Sequence, residues 1–198
     1  MGGLTVLASG SGTILEALIA AGLPIRVVLV DRSCRAEEVA ERAGIPLARV
    51  LRTSFGPSFD REGYTEEVVK ALSGYGVDFV AMAGYGTVLG QAMHDAYPGR
   101  IVNTHPALLP AFKGWHAVEA ALEAGVTVTG CTVHIATREV DEGPILAQEE
   151  VAVVEGDTAE SLHERIKAVE RRIYPEALWR LLREGPPALL ANKEMEER

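Results

Sequence analysis

Leu4-Thr5-Val6-Leu7-Ala8-Ser9-Gly10-Ser11-Gly12-Thr13-Ile14-Leu15 is the stretch from which the fold can be read. Leu4 to Ala8 is a short apolar run, Ser9 to Thr13 is a Gly-rich turn, and Ile14, Leu15, Leu18 and Ile19 then recur with helical spacing up to Gly22. A buried strand that runs through a tight turn into an amphipathic helix is the repeating half of a parallel α/β sheet. Outward from it the same alternation continues. Ile25 to Val30, Leu47 to Leu51, Phe79 to Ala83 and Ile101 to Asn103 read as short buried strands, and Val128 to Ile135 as a longer, partly alternating one. Val39 and Ala43 share a helical face ahead of Gly44, where a left-handed cap belongs. Beyond Ile135 the pattern changes: a loop from Thr137 to Gly143, a strand from Ile145 to Val154, and a long helix from Ala159 to Leu182 with Asp157 or Thr158 as its cap. The expected architecture is α/β, an open, mostly parallel twisted sheet with helices on both faces. Its last strands are candidates for antiparallel pairing. Residues 1–184 read as one domain and 185–198 as a polar tail.

Composition narrows the functional classes. The chain has 198 residues, 47% hydrophobic and 24% charged, and its apolar runs fall far short of the roughly 20 residues of a membrane span. No basic segment followed by an apolar stretch marks export, so the cytoplasm is the expected compartment. A net charge of −9 disfavours attraction to a phosphate backbone, so neither nucleic acid nor membrane is an expected partner. Cys34 and Cys131 have no metal-ligand spacing and read as reduced packing residues. The sequence does not decide between a monomer and a homodimer.

Three constellations can carry chemistry. The first is Ser9-Gly10-Ser11-Gly12-Thr13, where glycines let the backbone turn and the free amides of a helix start attract an anion. A G-x-G alone also suits a plain capped turn. A dinucleotide site is the rival, because Asp31 ends the second strand near the distance of a ribose-binding carboxylate. Against it, Leu15 fills the third glycine position of G-x-G-x-x-G and would obstruct close helix–strand packing, so a mononucleotide or sugar phosphate fits better. The second is Ile101-Val102-Asn103-Thr104-His105-Pro106-Ala107-Leu108-Leu109-Pro110, which delivers Asn103 and His105 just past a buried strand, where open α/β sheets place their active sites. The third is Arg138-Glu139-Val140-Asp141-Glu142-Gly143-Pro144, a charged loop. A carboxylate from it, set beside His105, would orient the ring and favour its protonated form. His105, His116 and His134 have no short metal-ligand spacing, and no metal is expected.

With S-G-x-G at the first strand end, N-x-H-P-x-L-L-P-x-F-x-G at the fifth and T-V-H-x-x-x-x-x-x-D-x-G-P-I-L later, the chain from about Leu4 to Leu182 resembles the phosphoribosylglycinamide formyltransferases, folate-dependent enzymes of purine synthesis. The resemblance implies a Rossmann-like formyltransferase fold, with the ribonucleotide phosphate site in the amino-terminal half and the folate site in the carboxyl-terminal half. It implies transfer of the formyl group of N10-formyltetrahydrofolate to the amine of glycinamide ribonucleotide, with no metal and no nucleotide cofactor. Asn103, His105 and Asp141 match the family's catalytic positions. Gly10, Gly12, Thr13, Ile14, Glu170, Arg171, Arg172 and Ile173 match its ribonucleotide site. Arg61, Gly86, Thr87, Val88, Leu89, Asn103, Arg138, Glu139, Val140, Asp141 and Glu142 match positions around the folate. Two departures stand out: Ile14 replaces an Asn common in relatives, and Thr87 an Arg carried by some. Competing readings are a methionyl-tRNA formyltransferase, whose extra barrel and basic surface are missing here, a formyl-folate hydrolase, a dinucleotide-binding dehydrogenase, and a nonenzymatic ligand-binding module.

Overall fold

The computed structural model describes residues 2–187 apart from 55 and 57. The tail read at 185–198 therefore lies mostly outside the described residues. The elements, in chain order, are β1 (Leu4–Ala8), α1 (Thr13–Ala20), β2 (Ile25–Val30), α2 (Arg35–Arg42), β3 (Leu47–Arg49), α3 (Arg61–Leu72), β4 (Phe79–Ala83), α4 (Gln91–Ala96), β5 (Ile101–His105), α5 (Ala117–Glu123), β6 (Val128–Ile135), β7 (Ile145–Ala152) and α6 (Ala159–Glu184). They form a seven-stranded sheet in the order β3-β2-β1-β4-β5-β6-β7. The first five strands in that order pair in parallel, whereas β5–β6 and β6–β7 are antiparallel.

Strands buried on both faces explain the unbroken apolar runs. Leu4, Val6, Ala8, Val28, Val30 and Ala81 point to one side, where α1, α2 and α6 cover them, while Leu7, Val27, Leu29 and Val80 pack against Tyr64, Val68, Leu72 and Met93 of α3 and α4. Val39 is buried on α2, and Gly44 follows that helix with φ +66°, the left-handed conformation expected there. α6 is the long bracing element. Its cap is Thr158, which accepts from Ser161 N–H while the Ser161 hydroxyl accepts from Thr158 N–H. Near its middle the buried Tyr174 hydroxyl reaches the carbonyls of Met82 and Val102, tying the helix to β4 and β5. No described helix is long and apolar enough to cross a membrane.

Strand limits differ from expectation where pairing, not side-chain pattern, sets them. β3 ends at Arg49 rather than Leu51, because its paired register stops where β2 ends at Val30, although Val50 and Arg52 N–H still donate to the Val30 and Asp31 carbonyls. β7 stops at Ala152 instead of Val154, where its pairing with Val128 ends. β5 runs on to His105 instead of stopping at Asn103, since β6 pairs with its last residues, Thr104 with Val133 and His105 with Thr132. Asn103 and His105 thus stand within the end of a strand, on backbone held by a neighbour.

Candidate active site

The parallel strands all direct their carboxyl ends to one edge of the sheet, and a cavity of about 400 Å³ opens there. β5 supplies Asn103 and His105 to its wall, β6 supplies His134, and the loop after β6 supplies Asp141. Asp141 Oδ2 lies 3.3 Å from His105 Nδ1, and Oδ1 lies 3.5 Å from His134 Nε2. The Gly114 N–H also donates to Asp141 Oδ2, at 2.9 Å. Asp141 adopts φ +58°, a conformation in which Asp is among the better tolerated non-glycine residues, and the turn aims its carboxylate back at β5. Burial, the largest influence on this carboxyl, pushes it up. The adjacent His134 imidazole, the Gly114 hydrogen bond and the charge of His105 outweigh that, and Asp141 sits below the usual aspartate range.

The three polar side chains have assigned partners. His134 Nδ1 is 3.0 Å from the Ile135 carbonyl, which places its proton there and leaves Nε2 to accept from Asn103 Nδ2 at 3.3 Å. An amide nitrogen carries two hydrogens, so Asn103 retains a second donor on the cavity wall. His105 Nε2 donates to the Phe112 carbonyl at 2.7 Å, and both ring nitrogens of His105 face oxygen acceptors.

At another part of the wall lie Gly10, Ser11, Gly12, Thr13 and Ile14. Gly12 caps α1 at φ +73°, and a Cβ there would come within 3.0 Å of both Ala36 Cα and Val39 Cγ2, so both conformation and packing against α2 require glycine. The backbone N–H groups that begin α1 consequently face the cavity without a capping side chain. Opposite them α6 presents His163, Lys167 and Glu170, spaced so that they share one face. Glu170 accepts from the Thr104 hydroxyl at 2.5 Å, and burial raises its carboxyl above the ordinary value. Of the residues expected from Glu170 to Ile173, Glu170 alone lines the cavity: Ile173 enters the core, and Arg172 turns outward to an ion pair with Glu149. A helix advances about 100° per residue, so four consecutive side chains cannot share a wall.

Between β4 and α4, Thr87, Val88 and Leu89 line the cavity with Tyr85, and Ile101 adds apolar wall beside them. Gly86 lies behind this surface with its N–H on the Ser9 hydroxyl. In the loop after β6, Val140 and Asp141 reach the cavity, while Arg138, Glu139 and Glu142 do not, nor does Arg61 at the start of α3. Glu142 instead pairs with Lys113. Asp31, the carboxylate of the dinucleotide reading, is not on the wall. Both its oxygens are taken by Arg32, and Thr87 also bonds to it.

Thr104, Lys167, His163 and Trp115 are on the wall and were not singled out in the sequence, and His134, weighed there only as a metal ligand, is on it too. A signal for His134 existed in its place before the charged loop, but its position opposite Asn103 depends on the antiparallel register of β5 and β6. Chemically, the cavity joins an amide donor, an imidazole with an adjacent carboxylate, an anion-ready helix start and an apolar wall. That set suits acyl transfer to an amine carried by a phosphorylated molecule.

Residues 4–178 match the formyl transferase family. The phosphoribosylglycinamide formyltransferase of Mycobacterium tuberculosis (strain ATCC 25618 / H37Rv) is 46% identical over 187 residues, covering 92% of this chain and 86% of that protein. The trifunctional purine biosynthetic protein adenosine-3 of Homo sapiens is 40% identical over 182 residues, 88% of this chain but 18% of that much longer protein. Among solved structures, glycinamide ribonucleotide transformylase 1 from Symbiobacterium toebii superposes with a TM-score of 0.87 at 46% identity, over 93% of this chain and 89% of that one.

Proposed function

On the premise that this chain belongs to the formyl transferase family, we propose that it transfers the formyl group of N10-formyltetrahydrofolate to the amine of glycinamide ribonucleotide, giving formylglycinamide ribonucleotide and tetrahydrofolate. The observation that carries the reading is the convergence of Asn103, His105 and Asp141 on one cavity whose wall includes both an open helix start and an apolar loop. The glycine loop and α1 amides receive the ribonucleotide phosphate, with Lys167 adding charge in place of the Arg171 and Arg172 contribution read from sequence. Glu170 faces the sugar and amine end, and Val88, Leu89 and Val140 face the folate heterocycle. These residues fit a co-substrate with a flat apolar head and a substrate with a phosphate tail.

In the reaction, the neutral amine attacks the formyl carbon, a new C–N bond forms, and the carbonyl oxygen becomes an oxyanion. Asn103 donates its second amide hydrogen to that oxygen. His105 turns its Nε2–H to it from the Phe112 carbonyl, with Asp141 holding the ring and stabilising its charged form. The proton on the attacking nitrogen passes to N10 of the folate through the Asp141–His105 pair and water as the old C–N bond breaks. No covalent enzyme intermediate is needed. We place this activity in the cytoplasm.

The test mixes purified protein with N10-formyltetrahydrofolate and glycinamide ribonucleotide and follows formylglycinamide ribonucleotide. Formyl transfer is expected, with no reaction when formate or methionyl-tRNA replaces the donor or acceptor. Release of free formate at the same rate with and without the ribonucleotide would instead mark a hydrolase.

A further inference from the structure

The loop of residues 84–90, between β4 and α4, has no regular structure yet forms much of the wall assigned above to the folate. It is tied down from outside itself. Gly86 N–H donates to Ser9 Oγ at 2.7 Å, Thr87 Oγ1 to Asp31 Oδ2 at 2.8 Å, and Gly90 N–H to Thr65 Oγ1 at 2.9 Å, while the Tyr85 and Tyr64 hydroxyls meet at 2.5 Å.

Asp31 is the centre of this network. It follows β2 and is fully buried although charged, which is costly unless each oxygen has partners. Arg32 binds both oxygens at 3.0 Å, and the Thr87 hydroxyl adds its hydrogen bond. The sheet order explains the reach: β1 lies between β2 and β4, so Asp31 bridges to the β4 loop past Ser9 at the end of β1. Arg32 closes the other side, where a Cβ on Gly86 would come within 3.0 Å of its Nη2. The Thr87 side chain is buried and its hydroxyl donates inward, so that hydrogen is not offered to a ligand.

We propose that Asp31 is a positioning residue for the folate-bearing loop: by receiving the Thr87 hydroxyl, its carboxylate sets the backbone of Gly86 to Leu89 against which the co-substrate packs, without itself touching substrate. The idea rests on the formyl-folate reading of the cavity. It also assigns Thr87, which stands where some relatives carry Arg, to holding the loop through Asp31 instead of contacting the ligand directly.

The experiment compares Thr87→Val, Thr87→Ser, Asp31→Asn and the Asp31→Asn/Thr87→Val double variant in the full chain. In Thr87→Val the KM for formyl-folate is expected to rise about tenfold, the scale of one hydrogen bond to a charged group, with kcat and the KM for the ribonucleotide nearly unchanged. Thr87→Ser, which keeps the hydroxyl, should restore the wild-type value. The double variant should be no worse than the more affected single variant, because both changes cut one link. Hydrogen exchange of the 84–90 amides, read without any substrate, should speed up in Thr87→Val and not in Thr87→Ser. Additive effects, or unchanged KM and unchanged exchange in Thr87→Val, would overturn the proposal. If Asp31→Asn does not fold, Thr87→Val against Thr87→Ser judges the tether alone: a rise in KM and in exchange that the Ser variant reverses supports it, and no change in either overturns it. Absence of formyl transfer in the wild type would sink the functional reading alone, since the exchange measurement still judges the tether.

Discussion

Asn103 and His105 are two residues apart on one strand, and what each can donate is set by its neighbours across the sheet. Asn103 gives one amide hydrogen to His134, and His105 is aligned by Asp141. Removing a donor that meets a developing oxyanion typically costs about 3 kcal/mol, a hundredfold or more in rate. Asn103→Ala and His105→Ala are therefore each expected to lower kcat by about that factor, while dissociation constants measured by calorimetry move much less. Near-normal turnover in both would take them out of the chemistry. Glu170 makes a different prediction, because its burial raises the carboxyl and the folded state holds the proton more tightly than the unfolded chain. The resulting penalty is absent at low pH and grows as pH rises through the ordinary glutamate value of 4.5 toward the raised one. Glu170→Gln should melt a few degrees higher than wild type near neutral pH, since about 1 kcal/mol moves Tm by ~2–4 °C in a chain of this size. The gain should vanish at about pH 4, and ribonucleotide affinity should fall. A lower Tm at neutral pH would refute the assignment.

At the level of elements, the site depends on three junctions: β1 into α1, the β4 loop, and β5 against β6. α6 holds the last two in register. The Tyr174 hydroxyl spans the carbonyls of Met82 on β4 and Val102 on β5, one residue before Asn103. Tyr174→Phe keeps the ring packing but strands buried acceptors, an expected loss of ~1–3 kcal/mol in urea unfolding. A cost below a few tenths of a kcal/mol would show that the clamp contributes little. Much of this level was legible beforehand. Apolar runs located the strands, and Gly22, Gly44 and the Asp157–Thr158 pair punctuated the helices, because those signals are local backbone chemistry. The extension of β5 to His105 was not, since pairing with a strand some thirty residues later in the chain set it.

For the molecule as a whole, two buried aspartates link stability to pH. Burial, the strongest influence on each, acts upward. Polar partners outweigh it, Arg32, Ser9 and Thr87 at Asp31, and the adjacent His134 and the Gly114 N–H at Asp141, so both lie below the ordinary value of 3.8. A depressed carboxyl stabilises the fold fully above its unfolded value, and that contribution is lost as pH falls below it toward the folded one. Melting temperature should thus drop as pH falls below the ordinary aspartate value of 3.8, and Asp141→Asn should flatten that drop. An equal slope in the variant would remove Asp141 from the acid transition.

The amino-acid sequence determined the alternation of strand and helix, the Gly-rich helix start and the N-x-H strand end, because each is written in neighbouring residues through periodicity and backbone preference. Only the tertiary structure decided which carboxylate serves His105, that His134 stands between Asn103 and Asp141, that Glu170 alone of its quartet faces the cavity, and that Asp31 serves Thr87. Those are contacts between residues tens of positions apart. They arise from strand order, antiparallel register and the angle at which a helix presents each side chain, none of which a local pattern records.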